Sequence, residues 1–104
     1  MRPEELQELF GNLEEMEETV IRLDDLDEAI LGSAQTAVLA KEGGAHTITV
    51  LVYSLRGIVE ILMTRDNMDA EEALEFFDYN ILRALPYTLG EGVGSPVIVQ
   101  DLDS

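Results

Sequence analysis

The sequence predicts a small α+β domain, a three-stranded, mainly antiparallel sheet packed against about three helices, one of them an acidic amphipathic helix at the N-terminal end. Three observations carry that expectation. Apolar residues recur at three- and four-residue steps in three separate stretches, the pattern of helices with one buried face. Between the first two stretches lie two apolar, uncharged runs joined by a Gly-Gly pair, the pattern of a hairpin. A chain of 104 residues that is 46% hydrophobic has the size and composition of one core. Residues 1–104 are therefore read as a single domain, with 1–23 as the acidic helix and 29–100 as the core.

Each element follows from local chemistry. Pro3 suits a first helical turn, and Leu6, Leu9, Phe10, Leu13, Met16 and Val20 then keep helical spacing. The outer face of this helix is nearly all carboxylate, so pairs such as Glu4 and Glu8, or Glu14 and Glu18, repel at i,i+4 by a few tenths of a kcal/mol each. Glu17 and Glu18 also oppose the helix dipole. After the turn chemistry of DDLDE, residues 29–40 (AILGSAQTAVLA) read as a strand in which Gly32 marks a bulge or a close backbone approach. KEGGAH reverses the chain, and TITVLVY is a second strand with both faces apolar enough to be central.

Ser54 is placed to cap a helix over 55–65, where Leu55, Ile58, Val59 and Leu62 share a face. Asp69 with Glu72 three residues later, and Met68 before the cap, signal the start of another helix. Its apolar face runs through Ala73, Leu74, Phe77, Ile81 and Leu85 until Pro86. A glycine-rich loop (87–95) leads to a short edge strand at 96–100, and the tail DLDS is expected to fray.

Charge sets the first functional limits. There are 22 acidic and 6 basic residues, for a net charge of −16, and residues 1–28 alone hold 11 acids against 2 bases. Such a surface repels phosphate backbones and anionic membranes, which argues against direct nucleic-acid or membrane binding. The absence of cysteine removes disulfides, thiolate metal sites and cysteine nucleophiles, and fits a reducing cytoplasm. No signal-peptide pattern opens the chain, and no apolar run approaches the length of a membrane span.

The constellations that carry chemistry are weak. Gly90, Gly92 and Gly94 leave a helix and enter a strand, the reverse of a nucleotide-binding loop, so a connecting loop is the favoured reading. The acidic groups around Asp24–Glu28 and Asp66–Glu72 lack the spacing of a calcium loop and read as solvated caps. His46 is the sole histidine, placed beside Gly-Gly as a loop residue, and it cannot assemble a transition-metal site within one chain. Ser33, Ser54 and Ser95 have no partner arrangement. No catalytic residue, cofactor or metal ligand is assigned, and an enzyme remains a third reading behind two kinds of binding protein.

The unusual feature is the carboxylate face of the first helix. Glu4, Glu8, Glu15 and Glu18 are the outward acids; acids at four-residue steps, such as Glu4 and Glu8, lie about 6 Å apart along a helix, a spacing close to that of phosphates along a nucleic-acid strand. Such a face suits a basic groove on a partner protein, and the plain alternative is a solvated face that maintains solubility. Phe10, Leu13 and Met16 offer a second use of the same helix, as the seam of a homodimer. Tyr79 and Asn80 fall where the last helix meets the glycine loop, and with Gly92 and Pro96 they form a candidate structural clasp, Asn80 donating to carbonyls of 90–95. A small-molecule pocket for a nucleotide or metabolite near Gly92 and Ser95 is the alternative to a protein partner.

From MTRDNMDAEEALEFFDYNI to GEGVGSPVIV, and over about 29–99 as a whole, the chain resembles a group of small uncharacterised proteins encoded mainly by bacteriophages. The shared parts are an Ala-Ile-x-Gly strand (here 29–32), a strand ending in Tyr53, Met-x-x-Glu-Glu-Ala (68–73), the Tyr79-Asn80 pair and a Gly-x-x-Pro segment within Gly90 to Pro96. Ser95 departs from the usual threonine, the loop after Asn80 is longer, and the acidic helix lies outside the resemblance. The resemblance implies a viral origin, the bacterial cytoplasm as the site of expression, and a host or defence protein as the target. It carries over no activity.

Overall fold

The computed structural model describes residues 2–17, 20–39, 43–85 and 94–102. The architecture is α+β. Helix α1 (Pro3–Glu15) is followed by an irregular connection and a single 3₁₀ turn (Asp27–Ala29); strands β1 (Ile30–Leu39) and β2 (Ala45–Ser54) form a hairpin; helices α2 (Leu55–Arg65) and α3 (Ala70–Phe76) follow, and β3 (Val97–Val99) completes the sheet. The strand order is β1-β2-β3, with β1 antiparallel to β2 and the short β3 parallel to it. The dense β-branching of the second run thus marks the central strand, as expected.

Local signals explain most boundaries. Gly43 and Gly44 both adopt positive φ at the hairpin turn, a conformation that a Cβ would penalise. The register of β1 on β2 slips between Ile30 and Gly32, which is the bulge that Gly32 signals. β2 runs straight into α2: Ser54 stays extended, and its hydroxyl accepts the Gly57 N–H at 3.0 Å. Asn67 supplies the left-handed residue after α2, and Asp69 caps α3 by accepting the Glu72 N–H at 2.8 Å.

Two elements differ from the sequence reading. α1 ends at Glu15, not at residue 23. Its last turn holds Glu14 and Glu15 with no basic residue to oppose the dipole, and the helix stops where further acids would add to that repulsion. The helix expected from 70 to 85 is α-helical only to Phe76; Phe77–Leu82 then forms wider, π-type turns, in which the Arg83 N–H bonds to Asp78 O five residues back at 3.1 Å. The inward row Ala73, Phe77, Ile81 and Leu85 has a strict four-residue repeat. In an α-helix each such step drifts about 40° around the axis. The wider turns offset that drift and hold the row against the core.

The core lies on one face of the sheet. Leu51 and Tyr53 from β2 and Ile30 from β1 meet Leu26, Ile58, Leu62, Ala73 and Phe77. Gly57 allows α2 to approach the 3₁₀ turn, since an added Cβ would sit 3.1 Å from that of Ala29. Across the sheet, Gly94 lies so close to Ile48 and Val50 that a Cβ would stand 2.6 and 2.8 Å from their side chains. Both faces of the β2 segment from Ile48 to Ser54 are therefore covered or nearly so.

Tyr53 is fully buried, and its hydroxyl accepts the Leu23 N–H at 2.8 Å. Burial pushes this phenol above its ordinary value. Tyr53→Phe leaves that buried amide without a partner, so urea titration is expected to show a loss of about 1–3 kcal/mol with little change in slope.

The tail is anchored through residue 102's neighbour, Asp101. Its carboxylate accepts the Arg56 N–H at 2.8 Å and the Ser54 hydroxyl at 2.5 Å, adding a second cap to α2. The Arg56 amide first, and then the Ser54 hydroxyl, hold the Asp101 carboxyl below its ordinary value. A carboxylate lowered in the folded state contributes stability that is complete above its unfolded pKa and is lost as pH falls through the folded one. The stability difference between wild type and Asp101→Asn should therefore stay constant above about pH 5 and shrink as the pH falls below 3.8. Chemical denaturation across that range measures it.

Candidate carboxylate face

α1 begins with Pro3 at its first position, and Glu4 and Glu5 lie in the favourable first turn; the Arg2 N–H donates to Glu5 Oε1 at 3.4 Å. The apolar stripe docks on the rest of the chain. Leu13 is 5% exposed, and Leu6, Leu9 and Phe10 pack against the core. Met16 is the exception at 56% exposed. The stripe is thus largely spent within the chain, which leaves Phe10 and Leu13 little to offer as a dimer seam.

The opposite side of α1 presents the predicted acids. At 100° per residue Glu4, Glu8 and Glu15 fall within about 40° of one another, spread over about 16 Å of helix. All three are exposed, and no ion pair reaches them among the described residues. Glu18 lies outside the described residues. The arginines with described partners are occupied elsewhere. Arg22 forks onto Asp27, with Nε 2.9 Å from Oδ1, and stacks on the Phe10 ring at 4.1 Å; this pairing holds Asp27 below its ordinary value and raises Arg22. Arg65 reaches Asp66 and the Asp25 carbonyl, and Arg83 pairs with Asp78 while lying over the Tyr79 ring. Glu4, Glu8 and Glu15 are left without a cationic partner among the described residues.

The other predicted residues are placed as follows. Tyr79 is 62% exposed on the π-type segment, and Asn80 donates to Phe76 O at 3.2 Å, one turn back in its own helix. Pro96 is buried, the Ser95 hydroxyl donates to Pro96 O at 3.3 Å, and Gly92 lies outside the described residues. His46 is an exposed strand residue paired with Val38, not a loop residue. No cluster of three or more His, Asp or Glu side chains suited to a metal occurs among the described residues. No helix among them is long and apolar enough to cross a membrane.

Sequence reasoning missed one feature, an open groove of about 440 Å³ between the irregular connection, α2 and the last helix. Leu23, Leu26, Leu62, Phe76, Ile81 and Leu85 line it, with the exposed Arg22, Arg65 and Asn80. It lies away from Ser95, where the small-molecule reading had placed a pocket. Its walls come from residues 21–26 and 76–85, which no short-range pattern connects.

α1 stops on Glu17, which adopts φ +56°, a left-handed conformation that costs a non-glycine residue about 1–2 kcal/mol. Glu17→Gly is expected to raise stability by about 1 kcal/mol in thermal or urea unfolding, whereas Glu17→Ala, which removes the charge but keeps the Cβ, should gain less than half of that. A scan of protein-family models, a search of curated proteins and a search of solved structures found no match to the chain.

Proposed function

We propose that this chain is a small interaction protein that docks on a cationic site of another protein through the carboxylate face of α1, with Glu4, Glu8 and Glu15 as the contacting acids. The observation that carries this reading is the state of Glu4, Glu8 and Glu15: exposed, aligned and in no ion pair among the described residues, on a helix whose other face is committed to the core. Surface acids that are already paired have little left to offer a partner, but unpaired ones on a rigid element attract and orient a complementary surface. With the resemblance to bacteriophage proteins, the partner is a host or defence protein in the bacterial cytoplasm.

A second reading has its own support. The groove beside Phe76 and Leu62 has the volume and apolar lining of a small-molecule site, with a few polar groups at its mouth. That reading makes the chain a binding or sequestering protein for a metabolite.

Affinity capture from bacterial lysate, run at about 0.05 M and about 0.5 M salt, separates the two. The carboxylate reading expects a partner retained at low salt and released at high salt. It also expects Glu4→Lys, Glu8→Lys and Glu15→Lys together to weaken capture by about tenfold or more while circular dichroism is unchanged. Capture indifferent to both salt and charge reversal removes the carboxylate reading. A small molecule carried through purification and seen by native mass spectrometry favours the groove.

A further inference from the structure

The outer edge of β1 supports an inference that does not depend on the carboxylate face. β1 is a terminal strand of the sheet, and no described residue hydrogen-bonds its outer side. Ten strand residues present about 33 Å of edge, along which alternate backbone N–H and C=O groups face outward. Protein sheets protect such edges with lysine, inward charges, proline, mid-strand bulges or a covering element. β1 reads ILGSAQTAVL, with no charge and no proline, and its one bulge lies at the Ile30 end. In a chain that is 27% charged, the ten-residue edge of β1 carries no charge, and the opposite edge, β3, offers only three residues.

The hairpin supplies a second observation. Gln35, Thr36 and Ala37 on β1 and Ala45, His46 and Thr47 on β2 are all exposed, so the far half of the ribbon is open on both faces among the described residues. A two-stranded ribbon with neither face packed is marginal in water, and a further strand is what stabilises it. A third observation lies beside the edge. Met16, the one member of the α1 stripe left exposed, borders the same cleft as Ser33, Ala34 and Gln35 of β1.

We propose that β1 pairs antiparallel with β1 of a second copy, giving a continuous six-stranded sheet of order β3-β2-β1-β1-β2-β3 about a twofold axis. The occupant is a second copy because of charge. Two chains of −16 repel at almost any contact, and the repulsion is least where neither surface is charged, which describes this strand. Antiparallel self-pairing is also self-complementary, as a twofold interface requires.

The proposal predicts a mass near twice 11.5 kDa by sedimentation equilibrium at about 0.1 mM protein, dissociating on dilution. Because like charges oppose it, the dimer should tighten as salt rises, the reverse of the salt response expected for a basic partner on α1. Thr36→Glu with Ala37→Glu, both exposed positions, should raise the dissociation constant about tenfold or more without loss of the far-ultraviolet spectrum. Hydrogen exchange of the wild-type protein supplies a readout that needs no variant: alternate β1 amides should be protected in concentrated solution and exchange freely on dilution. A monomer at all concentrations and salts overturns the proposal. So does a dimer whose β1 amides exchange at the monomer's rate, because its interface lies elsewhere.

Discussion

Tyr53 stands at the end of the central strand with its ring in the middle of the core and its hydroxyl on the Leu23 amide, 30 residues earlier in the chain. Residues 20–26 form neither helix nor strand, and the Leu23 N–H finds its partner outside that segment, in the Tyr53 hydroxyl. The buried hydroxyl fixes this connection together with Arg65, which donates to the Asp25 carbonyl at 2.8 Å. The connection in turn sets where α1 docks, through Arg22 on Phe10, and forms one wall of the groove through Leu23 and Leu26. Both candidate surfaces on the helical side thus adjoin a connection that Tyr53 and Arg65 hold in place.

Charge is the second organising constraint. Every Asp, Glu, Lys and Arg lies outside the three strands, so the sheet is neutral and the helices with their connections carry the whole net charge. This separation lets one small domain offer two surfaces of opposite preference. The helical side attracts cations and repels its own kind, while the strand edge is the place where identical chains can approach. High salt weakens the first and favours the second.

Much of the fold was legible because its signals are local. The spacing of Leu55, Ile58, Val59 and Leu62 located α2, Ser54 and Asp69 announced their caps, and the β-branched run from Thr47 to Tyr53 located the central strand. What escaped depends on contacts distant in sequence or on competition between weak terms. The parallel pairing of Val97 with Val52 needs a crossover that no pattern in either segment encodes. The end of α1 was set by dipole and like-charge repulsion outweighing an apolar spacing that continues to Val20. The carboxylate face was readable because it repeats along one helix. The groove was not, since its walls come from three separate elements, and neither was the anchoring of Asp101, because an aspartate in a polar tail carries no sign of its partner.

That anchor has a consequence for how the chain folds during synthesis. The carboxylate that completes the amino end of α2 lies 47 residues downstream of Ser54. A polypeptide leaving the ribosome can form the hairpin and the first turns of α2 early, from contacts near in sequence. The helix remains incompletely capped, and the third strand absent, until nearly all of residues 55–101 have emerged. Until β3 arrives, the side of β2 opposite β1 is an unfinished sheet edge at Val52 to Ser54.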